Sequence, residues 1–175
     1  MQTHPRYLGA LMATVPDILR HRTCLYVGAH PHDGMSFVPE LREAGYRLTI
    51  IEAHGPNVKI IGGMLRDSEE ILHADLRTWQ PAQKFDLALW WHGPEHLPMG
   101  DREACLEKID ACSTSWTIAA GPWGCYPQGA ADGNPFQAHV SELEPEWFQE
   151  RGWCAQTVGQ RSVPGGQVVA WRQKR

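Results

Sequence analysis

The sequence has no surplus of positive charge, no long apolar segment and no motif of paired cysteines. Its 175 residues include 16 Lys and Arg against 20 Asp and Glu, which gives a formal net charge of −4. That charge gives no electrostatic reason to expect nucleic acid or an anionic membrane surface as a partner. No apolar run approaches the ~20 residues of a membrane span, and the first residues lack the charged-then-apolar pattern of a signal peptide. We therefore expect a soluble cytoplasmic protein, in an oligomeric state that the sequence leaves open.

The cysteines argue against two kinds of covalent scaffold. A disulfide framework uses an even number of cysteines, and a structural zinc knuckle needs C-x-x-C ligand pairs. This chain has 5 cysteines and no C-x-x-C pair. They are Cys24, Cys105, Cys112, Cys125 and Cys154. The sequence therefore indicates free thiols in a reducing compartment.

What the chain does contain is the composition of an ordinary globular domain, with 42% hydrophobic and 21% charged residues. Its length suits a single domain, 1–175, with a sheet covered on both faces. No internal repeat, low-complexity segment or linker divides it. Eight tryptophans are many for this length, and tryptophans on loops often line ligand pockets.

A strand–helix–strand unit lies near the start of the chain. Residues 7–21 have helical spacing, and the apolar run TCLYVG (23–28) predicts a buried parallel strand. The amphipathic segment 35–46 ends near Gly45, which is a usual helix stop, and RLTIIEA (47–53) predicts the second strand. Such a unit is the building block of a doubly wound sheet.

Strands and helices continue to alternate along the rest of the chain. Further strands are predicted at 69–75, 85–91 and 116–121, and further helices at 102–113 and 144–153. The last two strand-like segments, CAQTVGQR and GQVVAWRQ, flank a Pro-Gly-Gly turn and predict a hairpin. The expected fold class is α/β: a Rossmann-like doubly wound, mostly parallel sheet with an antiparallel C-terminal hairpin. Ligands bind at the carboxyl ends of the strands in such sheets.

The loop GAHPHDG follows the first predicted strand and leads into a helix. Backbone N–H groups at such a position face a ligand, so the loop fits a cofactor cradle. Its side chains His30, His32 and Asp33 are also potential metal ligands. Taken alone, the loop is compatible with either kind of site.

Two acidic residues follow the next two predicted strands. Glu52 lies near the end of the second strand, where an acid typically accepts hydrogen bonds from ribose hydroxyls. Asp75 ends the third, where an acid can reach an adenine amino group or cap the turn that follows. Together with the first loop, they favour a nucleoside-containing ligand.

Two later segments supply the other candidate side chains. WWHGPEH leaves the fourth strand above the expected cleft and brings His92, Glu95 and His96 within reach of one another. The long loop 121–141 is rich in Gly, Pro and aromatic residues, which is typical of a functional lid. Its last titratable residue is His139. Structural alternatives exist, in which Glu95 caps the next helix, His96 packs against the domain and His139 is a structural residue beside a helix.

In this order the motifs resemble class I S-adenosylmethionine-dependent methyltransferases. The resemblance extends from Cys24 to Trp171. It is greatest to a small group of bacterial and archaeal proteins with W-W-H-G-P-E-H and P-W-G-x-Y-x-Q-G motifs. The segments that carry it are LYVGAHPHDG, LTIIEA, HADLRTW, FDLALWWHGPEHL and PWGCYPQGAADGNPFQAHVSELEPEWFQERGW. The resemblance implies S-adenosylmethionine as the cofactor.

The same resemblance implies which residues bind that cofactor. The first loop would wrap its methionine part, the acid after the second strand would bind the ribose, and the acid after the third the adenine. The segment Trp91 to His96 would lie beside the donor methyl group and the acceptor. The residues assigned in this way are Gly28, Ala29, His30, Gly34, Glu52, Ala53, Asp75, Leu76 and Trp91.

The first motif departs from the pattern of that family, which is an acid followed by alternating glycines. Tyr26 replaces the acid, and His30 and His32 stand at glycine-like positions. Side chains at these positions would crowd a backbone that approaches its ligand closely.

A rival interpretation starts from the same loop, which also resembles the A-H-P-D-D-E motif of the PIG-L/LmbE zinc deacetylases. His30 and Asp33 would then sit at a zinc ion, and His92 or His96 would complete the site. This second resemblance covers one loop, and Gly34 replaces its terminal Glu. We prefer the methyltransferase and assign no metal site. The deacetylase and a non-catalytic S-adenosylmethionine-binding module remain as alternatives.

The preferred interpretation predicts a methyltransferase with a small-molecule acceptor. His92 is the first candidate for a general base, because imidazole titrates near neutral pH. The further candidates are Glu95, His96 and His139. Aromatic side chains are expected to line the acceptor pocket next to Trp91, and these are Trp123 and Tyr126.

Overall fold

The computed structural model describes residues 22–31, 37–131 and 133–174. The helix predicted at 7–21 and the loop residues His32, Asp33 and Gly34 lie outside these ranges. Seven strands form one sheet in the order β3-β2-β1-β4-β5-β7-β6. The strands are β1 (Thr23–Val27), β2 (Arg47–Glu52), β3 (Glu70–His73), β4 (Phe85–Trp91), β5 (Ser113–Pro122), β6 (Cys154–Val158) and β7 (Gln167–Gln173).

The helices of the described ranges cover both faces of this sheet. Successive side chains of a strand point to opposite faces, and so Tyr26 lies in one buried apolar cluster and Leu25 in another. Side chains of the first two helices join the first cluster, and side chains of the last two join the second. The helices are α1 (Val38–Glu43), α2 (Gly55–Gly62), α3 (Met99–Cys112) and α4 (Pro145–Gln149).

The order of the strands reverses between β1 and β4. β1 pairs in parallel with β2 on one side and with β4 on the other. The chain therefore builds the sheet outwards to β3, then crosses back to β4 and builds in the opposite direction. In open α/β sheets a crevice forms at this reversal, beyond the carboxyl ends of the strands. The candidate side chains of WWHGPEH leave β4 at that crevice.

The predicted fold class is confirmed, with differences in detail. The hairpin of β6 and β7 is antiparallel, and β7 rather than β6 pairs with β5. β3 ends at His73, two residues before the predicted end at Asp75. Helix α2 was not predicted, because its sequence GPNVKIIG starts with Gly-Pro and buries only Asn57 and Ile61. Within the described ranges, no helix combines the length and apolarity needed to cross a bilayer.

Candidate functional site

Two adjoining pockets open at the crevice between β1 and β4. The first is called the β2-side pocket, and its volume is about 630 Å³ when the space open to solvent is included. The second is called the β5-side pocket, and its volume on the same basis is about 780 Å³. Residues that line only the β2-side pocket include Glu52, Ala53, Asp75, Leu76 and Asn134. Residues that line only the β5-side pocket include His30, Trp91, Tyr126, Gln128 and His139. Gly28, His92, His96 and Gln137 line both, so they mark the junction.

Gly28 turns the chain from β1 into the crevice. Its φ is +72°, a left-handed conformation that glycine adopts without strain, and its N–H donates to the Ile51 carbonyl oxygen at 2.8 Å. A Cβ atom at this position would meet no described group within 4 Å. The backbone at Gly28 is therefore open to a ligand. Its neighbour Ala29 is fully buried in the core, while His30 reaches the β5-side pocket.

Glu52 is the buried acid of the β2-side pocket. Its side chain is at the end of β2, is 6% exposed, and accepts a hydrogen bond from the His54 N–H at 2.7 Å. Burial raises the pKa of this carboxyl, although hydrogen bonds from His54 and Asn57 act in the opposite direction. A nearly dry carboxylate at a pocket wall is well suited to accept hydrogen bonds from hydroxyl groups of a ligand.

Asp75 lies on the same pocket, and its carboxylate also caps a turn. It accepts hydrogen bonds from the backbone N–H of Arg77 at 2.9 Å and from the Arg77 Nε at 3.0 Å. The hydrogen bond from the Arg77 guanidinium holds the pKa of this carboxyl below its usual range. The interpretation of Asp75 as a turn cap is therefore confirmed, whereas its contact with an adenine amino group stays a prediction. Next to it, the Leu76 carbonyl oxygen accepts from Lys108 Nζ at 2.7 Å.

His92 stands where β4 ends and the two pockets meet. Its φ is +50°, which is uncommon for a residue other than glycine, and its N–H donates to the Ala120 carbonyl oxygen at 2.8 Å. The following residue must be glycine, because a Cβ on Gly93 would lie 1.9 Å from the Trp90 indole nitrogen. This tight bend turns the imidazole into the crevice, where its side chain is 30% exposed. Residues held in such conformations cluster at functional sites.

Glu95 is buried behind His92 and faces three imidazole rings. It is 2% exposed, and its Oε1 lies 3.2 Å from His92 Nδ1, 3.9 Å from His96 Nε2 and 4.0 Å from His139 Nε2. Burial by itself would raise the pKa of Glu95. The hydrogen bond from His92 and the charges of His92 and His96 outweigh it and lower the pKa below its ordinary value.

The alternative in which Glu95 caps the next helix is not realised. Glu95 lies in a separate 3-10 turn, Pro94–His96, and α3 starts later without a side-chain cap. The space for its carboxylate depends on Gly121, since a Cβ there would come within 2.5 Å of Glu95 Oε2. The buried charge is therefore enclosed by the turn and by β5.

Backbone hydrogen bonds attach the long loop to this turn. The Glu95 carbonyl oxygen accepts from the N–H groups of Val140 at 2.9 Å and Ser141 at 3.2 Å. His96 Nδ1 lies 3.1 Å from the carbonyl oxygen of Ala138, a residue 42 positions further along the chain. These contacts hold His139 against Glu95. Burial lowers the pKa of the His139 imidazole, although the charge of Glu95 opposes that shift.

Tyr126 and Trp123, the two aromatic residues predicted to line the acceptor pocket, have different positions. Tyr126 lines the β5-side pocket, and its carbonyl oxygen is 2.6 Å from His139 Nδ1. Trp123 instead packs against the second apolar cluster, and its indole N–H donates to Glu144 Oε2 at 3.0 Å. It does not line either of the two described pockets.

Four polar lining residues were absent from the sequence prediction: Gln128, Asn134, Gln137 and Gln167. The Asn134 side chain accepts from the Phe136 N–H at 3.0 Å and starts a short 3-10 turn. An Asn-Pro pair is a known turn signal and could have marked this position. The glutamines carry no comparable local signal.

One group of possible metal ligands occurs in the described part of the chain, and it differs from the one considered in the sequence. It consists of Glu95, His96 and His139, whose ligand atoms all lie within 4.8 Å of one another. His30, the expected zinc ligand of the deacetylase interpretation, is outside this group. Its expected partner Asp33 lies outside the described ranges.

Comparison with known proteins identifies the fold. No protein-family model and no curated protein sequence matches the chain. Among solved structures, the N-methyltransferase NodS from Bradyrhizobium japonicum WM9 has a TM-score of 0.69 and 11% identity, with 99% of this chain and 98% of that chain covered. The complex of DhpI with SAH has a TM-score of 0.67 and 17% identity, with 98% and 88% covered.

A third similar structure is the 1,6-didemethyltoxoflavin-N1-methyltransferase of Burkholderia thailandensis with 1,6-didemethyltoxoflavin and S-adenosylhomocysteine bound. Its TM-score is 0.65 and its identity 17%, with 93% of this chain and 75% of that chain covered. At identities this low, the likeness concerns the course of the backbone. The chain thus has the Rossmann-like α/β fold of these solved methyltransferases.

Proposed function

We propose that the protein is an S-adenosylmethionine-dependent methyltransferase that acts on a small-molecule acceptor. The observation that carries the proposal is the pair of joined pockets at the reversal of the sheet, with Glu52 in one pocket and His92 at the junction. The fold is shared with methyltransferases that were solved with S-adenosylhomocysteine bound. Fold alone does not define an activity, so the proposal depends on the fit of the two pockets.

The β2-side pocket fits the nucleoside part of S-adenosylmethionine. Glu52 offers a buried carboxylate to the ribose hydroxyls, and Asp75 and Leu76 line the region beyond it. Gly28 provides the close approach at the junction, because a Cβ there would project into space that no described group occupies within 4 Å. When bound, S-adenosylmethionine supplies a methyl group on a positively charged sulfur, which is already activated for displacement by a nucleophile.

The β5-side pocket fits the acceptor. It lies on the other side of His92 and is lined by Trp91, Tyr126 and His139, a mixture of aromatic and polar groups that is common in small-molecule sites. His92 is the residue that both ligands would meet, since it lines both pockets. Its hydrogen bond to Glu95 fixes the ring. The protein contributes chiefly by aligning the acceptor and excluding water.

Calorimetric titration with S-adenosylmethionine and S-adenosylhomocysteine tests the cofactor assignment. We expect saturable binding of one nucleoside per chain to the wild type. The Glu52→Gln variant should bind about 10-fold more weakly or worse, because a hydrogen bond to a charged group contributes about 1.5–3 kcal/mol. Glu43→Gln is the matched control, since Glu43 is exposed on α1. Absence of binding to the wild type, or equal affinities for wild type and Glu52→Gln, contradicts the assignment.

Activity is then tested with labelled S-adenosylmethionine and a panel of hydroxyl- and amine-bearing small molecules. Transfer of the label to one acceptor class is the expected result. Nucleoside binding without transfer to any member of a broad panel would instead favour a non-catalytic binding module.

A further inference from the structure

Glu95, His96 and His139 bring one carboxylate and two imidazoles to a single point. Their ligand atoms lie within 4.8 Å of one another, and Glu95 Oε1 is 3.9 Å from His96 Nε2 and 4.0 Å from His139 Nε2. These distances are too long for direct hydrogen bonds. In a site with metal–ligand bonds of about 2.1 Å, ligand atoms lie about 3.0–3.5 Å apart. A shift of less than about 1 Å would therefore bring these three atoms around an ion.

The proton positions of both histidines follow from their partners. His96 Nδ1 lies 3.1 Å from the Ala138 carbonyl oxygen, and His139 Nδ1 lies 2.6 Å from the Tyr126 carbonyl oxygen. A carbonyl oxygen only accepts, so each Nδ1 carries the proton and donates it. In the neutral rings, both Nε2 atoms then present lone pairs towards Glu95. An imidazole that donates its other N–H to a backbone carbonyl is the usual arrangement of a metal ligand.

The carboxylate of Glu95 is short of partners. It is 2% exposed. Its Oε1, the oxygen that faces the imidazoles, accepts from His92 Nδ1 at 3.2 Å, and its Oε2, on the side of Gly121, has no hydrogen-bond partner among the described residues. The buried cation Arg102 acts on Glu95 through its charge, but it donates its Nη1 to the Glu142 carbonyl oxygen at 2.8 Å. When His96 and His139 are neutral, the carboxylate also faces two nitrogen lone pairs, and a bound cation would offset the cost of this arrangement.

We propose that Glu95, His96 and His139 form the binding site of a divalent transition-metal ion. Two imidazoles and one carboxylate suit Zn²⁺, Mn²⁺, Fe²⁺ or Co²⁺, and three protein ligands leave coordination positions open. The backbone hydrogen bonds between Glu95 and the Val140–Ser141 segment hold the ligands together before an ion arrives. No metal site was predicted from the sequence, because the zinc-site resemblance covers only the first loop, and His139 was not among the ligands considered there.

The open positions of the ion would face the acceptor. His96 and His139 both line the β5-side pocket, whereas Glu95 is buried behind them. An ion at this point binds an oxygen ligand from the pocket side and makes a bound hydroxyl more acidic. The O–H bond of the acceptor would break and its proton would pass to the general base, for which His92 is the first candidate. The oxygen would then bond to the methyl group as the S–C bond breaks, and the sulfur would keep that electron pair. The acceptor class is therefore a hydroxyl-bearing small molecule. This last step rests on the proposed function, whereas the ion site does not.

The test uses full-length protein that is treated with a chelator, desalted and titrated calorimetrically with Mn²⁺, Co²⁺ or Zn²⁺ alone. We expect saturable binding of one ion per chain and a rise in the thermal unfolding midpoint. In His139→Ala and Glu95→Gln the affinity should fall about 100-fold or more, as expected when a ligand is lost. Visible absorption bands of bound Co²⁺ should disappear in the same variants.

Two other histidines serve as controls. His73→Ala should leave ion binding unchanged, because this ring contacts the Ala53 carbonyl oxygen on the opposite side of the crevice. His30→Ala should also leave it unchanged, since His30 is outside the ligand group. No saturable binding by the wild type overturns the inference. So does binding that His30→Ala removes and His139→Ala retains.

The ion titration and the nucleoside titration test different claims, so a negative result in one does not decide the other. A wild type that binds S-adenosylhomocysteine and no ion overturns this inference and leaves the proposed function standing. A wild type that binds an ion and no nucleoside overturns the proposed function and leaves the ion site standing. Transfer to amines alone, with the ion bound, overturns the hydroxyl acceptor class.

Discussion

The two halves of the crevice are built in different ways. The β2-side pocket takes its acids from the ends of neighbouring strands, and each acid is held by groups close to it in sequence: Glu52 by the His54 N–H, Asp75 by Arg77. The β5-side pocket takes its side chains from the turn after β4 and from the long loop, and the His96 side chain joins the two across 42 positions of sequence. A ligand that many proteins bind can be held by residues at the ends of regular strands. Recognition of one particular acceptor instead requires loops, because loops vary between proteins.

The buried acids of the two pockets also differ in their electrostatic surroundings. Burial raises the pKa of Glu52, whereas His92 and His96 lower that of Glu95. Glu52 is therefore a hydrogen-bond acceptor in a nearly neutral environment, suited to hydroxyl groups. Glu95 is the negative centre of a cluster of imidazoles, suited to a cation. Substitutions should separate these roles.

The largest effect is expected from His92→Asn. Asparagine tolerates the positive φ of this position better than other non-glycine residues, so the bend is kept and the imidazole is lost. We expect turnover to fall about 100-fold or more, while affinity for S-adenosylhomocysteine stays close to that of the wild type. The measurement is steady-state transfer to the identified acceptor beside calorimetry. Full turnover in this variant would remove His92 from the reaction.

A smaller effect, on stability and on one pocket, is expected from Gly121→Ala. The added Cβ would lie 2.5 Å from both Glu95 Oε2 and Leu143 Cδ1, so the turn or the loop must shift. Overpacking of this kind costs about 1–3 kcal/mol. Ion binding should weaken and nucleoside binding should persist.

Gly129→Ala is the matched control for that variant. Gly129 lies on the loop that follows β5, and a Cβ there would meet no described group within 4 Å. Its free energy of unfolding, measured by urea denaturation, should change by less than about 1 kcal/mol. Equal effects of the two substitutions would show that Gly121 does not make room for Glu95.

The smallest effect concerns the pH dependence of stability. Because the pKa of Glu52 is raised in the folded state, the folded protein holds this proton more tightly than the unfolded chain. Stability from this carboxyl is present below the ordinary Glu pKa and is lost as the pH rises through the raised value. Glu52→Gln lacks this loss, so its stability relative to the wild type should increase with pH across that window. Urea denaturation of ligand-free protein measures it, and a relative stability that decreases with pH would contradict the burial of Glu52.

Much of the β2-side half could be predicted from the sequence. Apolar β-rich runs predicted the strands, the hairpin and the sheet class, and polar residues just after the strands indicated Glu52 and Asp75. The sequence pattern placed the end of β3 two residues too late. It did not predict helix α2, because a Gly-Pro start resembles a loop and only two positions of that helix are buried.

The β5-side half was predicted only as a list of side chains. Nothing local in the sequence brings His139 to Glu95, since tertiary hydrogen bonds of the loop create that contact. The burial of Glu95 depends on Gly121 in another strand. Trp123 was expected at the pocket as an aromatic residue of the long loop, but its indole N–H donates to Glu144 and its ring packs against the second apolar cluster. Sequence patterns report which groups are present, and packing decides which of them meet.

A crystal structure with S-adenosylhomocysteine bound tests the division of the crevice most directly. The account requires the ribose hydroxyls within hydrogen-bond distance of Glu52 and the sulfur at the junction bounded by Gly28 and His92. The β5-side pocket should remain open to the acceptor. A nucleoside that occupies the β5-side pocket, or that binds without contact to Glu52, would contradict the account.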